Sequence, residues 1–197
     1  MVSRTKPHYK RYRFSVEDFT KAIDAGLFGE DDRIELVEGE LVEMTPPGDL
    51  HNYSVNRFNR LFHTLLPQTT YVIVQNALDL SPSSRPQPDV MLIREPASGW
   101  ELAAPSPDAV LLVVEVSDSS YRYDRYVKLP LYARAALPEL WIVNLPQRQV
   151  EIYRQPVGDA YEATLVAKPG DRVSPLAFPD VAIAVDDILP PAGLRRG

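Results

Sequence analysis

The chain has 197 residues, 45% of them hydrophobic and 24% charged, with no cysteine. That supports one domain with a buried core, excludes disulfides, thiolate zinc sites and cysteine nucleophiles, and is compatible with the reducing cytoplasm, where the protein is expected to reside. The net charge of −6, taken alone, argues against a nucleic-acid binder, because phosphate contacts require Lys and Arg.

The charge is unevenly placed. Residues 4–13 carry Arg4, Lys6, Lys10, Arg11 and Arg13 with Tyr9 and Tyr12 between them and no acid, so the remainder stands at −11. Residues 1–13 read as a basic arm, either a solvated, disordered terminus or a strand of charge able to touch nucleic acid. Residues 1–30 hold no apolar run suited to a signal peptide, and the longest run, Ala109 to Val114, is far too short to span a bilayer. The expectation is one domain over 14–189, with a frayed tail over 190–197 after Pro190 and Pro191.

Ser15 followed by Glu17 and Asp18 predicts a helix start, Phe19 and Ile23 give helical spacing, and Gly26 is a plausible stop. Arg33 to Val37 and Glu40 to Met44 flank Glu38-Gly39 and predict a hairpin. His51, Val55, Phe58, Phe62 and Leu65 recur on one face of a helix over 50–66. Three strand-like runs follow, Tyr71 to Leu80, Pro88 to Ile93 and Ala109 to Val116, and then a second helix over about 121–135. Glu139 to Leu145 and Gln149 to Tyr153 read as strands joined by a turn at Pro146 to Arg148, with weaker strands near 161–167 and 181–185. Phe14, Trp141 and Tyr153 are expected in the core, and Trp100 falls in a loop. The order helix, three strands, helix, strand predicts an α/β (α+β) fold with a mixed sheet and helices on its faces. Ala109 to Val116, apolar on both faces, should be a central strand.

Glu115 follows six apolar residues on that strand and shares a face with Leu111, Val113 and Ser117. A carboxylate buried there needs a metal, a lysine, or exposure at the strand's end. Asp89, after Pro88, is either a turn residue or, beside Glu115, a second oxygen ligand. Two carboxylates with the Val116 carbonyl would suit a hard cation such as magnesium. Lys128 stands four residues after Asp124; at about 100° per residue both fall with Val127, Leu131 and Ala135 on the side facing the sheet, unless Pro130 starts the helix near 129 and leaves Lys128 at its entry. Glu35 and Glu40 are near-equal candidates on the hairpin. His51 reads as a hydrogen-bonded histidine at the core's edge rather than a ligand or base, and Tyr132 as packing. Arg122 and Arg125 read as solvated charge.

The segments Arg33-Ile-Glu-Leu-Val-Glu-Gly-Glu-Leu-Val-Glu-Met, His51, Gln87-Pro88-Asp89-Val90, Val114-Glu115-Val116-Ser117, Tyr123-Asp124 with Lys128-Leu-Pro-Leu-Tyr132, and Leu137-Pro-Glu-Leu-Trp141 together resemble the Uma2 (DUF820) family over about residues 14–154. The resemblance implies the restriction-endonuclease-like, PD-(D/E)XK fold and an endonuclease. It implies that Asp89 and Glu115 are the two motif carboxylates holding Mg2+ (or Mn2+), and that Lys128, rather than the residue at Ser117 where the superfamily pattern has its lysine, supplies the ammonium. Glu35 resembles the family's upstream glutamate, with a reach to the metal, and His51 and Tyr132 match family positions. The expected activity is phosphodiester hydrolysis of nucleic acid, DNA favoured. The alternatives are a non-catalytic binding module on the same fold and a metal-dependent hydrolase of a small phosphorylated compound. Unpaired sheet edges leave room for a homodimer.

Overall fold

The computed structural model describes residues 10–29, 32–94 and 105–194. Most of the basic arm, Trp100 and the last three residues of the tail lie outside them.

Helix α1 (Val16–Asp24) begins where its sequence signal lies. The Ser15 hydroxyl accepts from the Asp18 N–H, and the Asp18 carboxylate accepts from the Ser15 N–H, which closes a capping box. Gly26, at φ 70°, follows its end. Phe19 is buried, but Ile23, expected on the same face, is 47% exposed; Phe19 is the one side chain this surface helix buries, and hydrogen bonds from Val16 N–H to the Pro82 carbonyl and from Arg85 to the Thr20 hydroxyl hold the rest.

Strands β1 (Ile34–Val37) and β2 (Glu40–Glu43) pair antiparallel with Val37 opposite Glu40. The two residues between them, Glu38 and Gly39, have φ of 49° and 80°, the left-handed pair that a tight hairpin turn requires. A lone two-stranded ribbon is marginally stable. This one is tied down by the segment that follows the next strand: Leu36 and Arg85 exchange backbone hydrogen bonds, and Gly39 N–H donates to the Ser83 carbonyl.

Helix α2 (Asp49–Leu65) buries His51, Val55, Phe58 and Phe62 as their spacing predicts. Leu65 departs from the expectation and is 42% exposed; Leu66, where the backbone has turned to an extended conformation, takes the buried place.

Among the described residues six strands form one sheet in sequence order: β3 (Thr70–Val74), β4 (Val90–Arg94), β5 (Val110–Ser117), β6 (Glu139–Asn144), β7 (Gln149–Val157) and β8 (Ala160–Ala167). Every neighbouring pair is antiparallel except β5–β6, which is parallel, so the sheet is mixed as expected. β3 stops at Val74 rather than continuing to Leu80. Gln75 turns to φ 52° and its N–H donates to the Asp89 carbonyl, which closes residues 76–88 into the excursion that holds the hairpin. The parallel pair requires a crossover, and a helical segment supplies it: α3 (Tyr121–Tyr123), a π-helical turn (Asp124–Lys128) and α4 (Leu129–Arg134). Near the end of the chain β9 (Arg172–Val173) and β10 (Ile183–Ala184) form a second small ribbon, followed by α5 (Val185–Ile188).

Alternation along the strands makes two cores. Val90, Leu92, Leu112, Val114 and Trp141 face α2 and α5, whereas Met91, Ile93, Val113, Leu140 and Ile142 face the crossover segment. β5 lies inside the sheet and is buried over nearly its whole length, as expected of a central strand. Trp141 and Tyr153 are core residues and Phe14 is half-buried. Pro190 is buried and its carbonyl accepts from Arg148, so the chain stays packed to that point. No helix among the described residues is long and apolar enough to cross a membrane.

Candidate active site

Two acids come from neighbouring strand ends. The antiparallel register sets Val90 against Val114. One step further along places Asp89 across from Glu115, on the face turned to the crossover segment. Like charges opposite one another on a sheet repel, so the pair needs compensation, and both side chains are buried, Asp89 to 8% and Glu115 to 2% exposure. Asp89 is held at both oxygens: His51 Nε2 lies 3.0 Å from Oδ1, and the Val116 N–H donates to Oδ2 at 2.8 Å.

Lys128 reaches these acids because of the π turn. In a regular α-helix Val127 and Lys128 would both lie toward the sheet; here the wider turn leaves Val127 37% exposed and buries Lys128 to 2%. α4 then begins at Leu129 with Pro130 in its first turn, so the lysine sits at the helix entry. Its Nζ lies 2.9 Å from Glu35 Oε1 and 3.0 Å from Glu115 Oε1. The Tyr132 hydroxyl donates to the same Glu115 oxygen.

The hairpin answers the choice between Glu35 and Glu40. Alternation turns Glu35 inward, where Oε1 also accepts from the Gln87 N–H at 2.9 Å and Oε2 from the Tyr123 hydroxyl at 3.1 Å. Glu40 points outward and pairs with Arg13. Asp124, also buried, accepts from Ser117 and Ser120, each at 2.7 Å. Glu35, His51, Asp89, Glu115, Asp124 and Lys128 thus line one cleft of about 400 Å3. Ser117 and Tyr132, both fully buried, brace Asp124 and Glu115 from behind.

Four buried carboxyl groups around one buried ammonium leave an excess of negative charge. Burial pushes the Glu115 carboxyl well above its usual range; Lys128 opposes that, but Asp124, Asp89 and Glu35 reinforce it. Asp124 is likewise raised, first by burial. Burial alone would discharge Lys128, yet Glu115, Glu35, Asp124 and Asp89 together hold it well above its ordinary value, so it remains an ammonium. Asp89 feels the same burial but is kept low by the hydrogen bond and charge of His51, by Lys128 and by Val116 N–H.

The donor set suits a hard divalent cation. Asp89 and Glu115 offer carboxylate oxygens, the cleft has room for water, and a cation there would relieve the mutual repulsion that raises Glu115. Glu35 already receives three donors, from Lys128, Gln87 and Tyr123, against two at Asp89, and no three Asp, Glu or His side chains among the described residues converge as a closed cage. Water and backbone carbonyls would therefore complete the coordination, as is usual for magnesium.

Tyr123 escaped sequence reasoning. It lines the cleft, bonds Glu35, and sets its ring 5.8 Å from Lys128 Nζ. Tyr123 stands in the Tyr123-Asp124 segment that resembles the Uma2 family, but neither that resemblance nor its place beside an acid gave it a role. Arg122 is exposed, and Arg125 lies over the Tyr126 and Tyr153 rings.

A family model described as Uma2, "Putative restriction endonuclease", matches residues 16–186. The crystal structure of "a putative nuclease belonging to DUF820" from Anabaena variabilis ATCC 29413 is similar with a TM-score of 0.70 and 16% sequence identity, covering 89% of this chain and 97% of that one. At that identity the likeness is one of fold. No curated protein matches the chain.

Proposed function

This chain belongs to the Uma2 family, and from that premise we propose that it is a metal-dependent endonuclease hydrolysing phosphodiester bonds of nucleic acid, with DNA the favoured substrate. One observation carries the reading: four buried carboxyl groups share a cleft with a single buried lysine. A fold does not by itself require so costly an arrangement. The preference for DNA rests on the family's description as restriction endonucleases.

In this reading Asp89 and Glu115, with the Val116 carbonyl, hold Mg2+ or Mn2+. A divalent ion there supplies water activation and neutralisation of charge on the scissile phosphate. His51 and the Val116 N–H fix the Asp89 carboxylate. Tyr132 and Lys128 fix Glu115. Lys128, locked between Glu35 and Glu115, presents a positive charge that orients the attacking water and stabilises the charge developing on phosphate, at no reorganisation cost during reaction. Tyr123 steadies Glu35, and through it the lysine.

Purified protein is tested with Mg2+ or Mn2+ on plasmid, linear duplex, single-stranded DNA and RNA, alongside free nucleotides. Cleavage is expected to need the divalent ion and to fall by about a hundredfold or more in Asp89→Asn, Glu115→Gln and Lys128→Ala. Wild-type protein that neither binds nor cuts any nucleic acid with either metal sinks the proposal. The acid-rich cleft and the net charge of −6 suit the second reading, a hydrolase of a small phosphorylated compound. Phosphate release from nucleotides without strand cleavage would establish it instead.

A further inference from the structure

We propose that Arg33 is the residue that binds the nucleic-acid backbone in the cleft, its guanidinium donating to the non-bridging oxygens of a phosphate at the cleft's rim. The inference rests on the endonuclease reading and names the group that receives the substrate. A phosphodiester entering this cleft meets an unfavourable field. Six acids line it, Glu35, Glu43, Asp89, Glu115, Asp118 and Asp124, against two cations, Arg33 and Lys128. Lys128 is already bound to two carboxylates.

Arg33 is placed differently. It precedes β1 by one residue, and its carbonyl, bonded by the Met44 N–H at 2.8 Å, fixes its backbone in the hairpin. Two residues before Glu35, it projects from the same face of the ribbon, over the cleft. It is half-buried there, yet its guanidinium has no carboxylate or hydrogen-bond partner among the described residues. Five arginines elsewhere are committed to carboxylates, Arg13 to Glu40, Arg57 to Asp187, Arg85 to Asp79, Arg134 to Glu38 and Arg154 to Glu139, while Arg11, Arg60, Arg94 and Arg122, which have no such pair, are exposed to solvent. A half-buried guanidinium left uncommitted beside six acids is a donor fork that needs an anion from outside, and the planar fork matches two phosphate oxygens at once.

The test is binding of fluorescent duplex DNA, single-stranded DNA and RNA by wild type, Arg33→Ala and Arg33→Lys, read by anisotropy over a salt series with Ca2+ present. Arg33→Ala is expected to bind about tenfold more weakly, regardless of base sequence, and to lose about one unit of slope in log K against log salt. Arg33→Lys should restore the slope but only part of the affinity, since an ammonium cannot reproduce the fork. The melting temperature should hold in both variants, because the side chain has no partner among the described residues to lose. If both variants match wild type in affinity and slope while wild type binds, the assignment of Arg33 is overturned and the endonuclease reading stands. If wild type binds no nucleic acid and cuts none, the endonuclease reading falls and takes this inference with it.

Discussion

The Glu151 carboxylate shows what a buried acid looks like when the fold alone accounts for it. It lies on β7, 4% exposed, and accepts from Asn144 at 3.1 Å, Gln149 at 2.9 Å, Tyr121 at 3.2 Å and Tyr153 at 2.6 Å. Burial alone would raise its pKa, but the hydrogen bonds from Tyr153, Gln149, Asn144 and Tyr121 win and hold it below its ordinary value of 4.5. Glu139 is satisfied in the same way by Trp141, Arg154 and the Leu176 N–H. Glu115 is the contrast: among the described residues only Tyr132 and a shared lysine serve it, and three other acids crowd it. A depressed folded-state pKa contributes stability that is fully present above the unfolded value and is lost as pH falls through the folded one. Glu151→Gln should therefore cost stability at pH 7, and that cost should shrink as pH drops below 4.5. Chemical denaturation of both proteins across that range measures the difference; a cost independent of pH would contradict the assignment. The sequence argument that a glutamate after six apolar residues needs a partner held for Glu115. It said nothing of Glu139 or Glu151, because a strand's alternation does not reveal which polar groups wait on the neighbouring strand.

At the scale of elements, the β1–β2 hairpin brings Glu35 to the cleft and the π turn brings Asp124 and Lys128. The hairpin was legible because Glu-Gly at a two-residue turn is a local signal, and Gly39 at φ 80° is where it matters most. A Cβ on Gly39 would meet Arg13 Cβ at 2.8 Å and the Phe14 carbonyl at 3.2 Å. Gly39→Ala should thus destabilise the protein by about 1–3 kcal/mol through backbone strain and lower its melting temperature by several degrees; an unchanged melting curve would show that the turn relaxes without cost. The π turn was not legible. Helical periodicity grouped Val127 with Lys128, and the structure separates them. Such turns are rare and tend to occur at functional positions, and no residue pattern in Asp124–Lys128 announces the change of register.

For the whole molecule, the cleft draws on the hairpin, α2, the ends of β4 and β5, and the crossover segment, so its charge excess is a property of the assembled fold. A cation that binds only the folded chain stabilises all of it, by about 2.7 kcal/mol at a hundred times its dissociation constant. Mn2+ should therefore raise the melting temperature of the wild type and have little effect on Asp89→Asn. Equal rises in the two proteins would place the bound ion elsewhere. Among the described residues the sheet ends at β3 and β8, and Leu165 and Val166 on β8 are 55% and 45% exposed.

The sequence by itself determined most of the elements, the mixed sheet and the short roster of acids and lysine, because periods of 2 and 3.6, capping residues and turn residues act over a few positions. Only the tertiary structure decided that Glu35 and not Glu40 meets Lys128, that His51 bonds Asp89, that Tyr123 belongs to the cleft, and that Lys128 is enclosed while Val127 is not. Those outcomes depend on which strands lie side by side and on fields acting through space between groups distant along the chain, and neither is written in any local pattern.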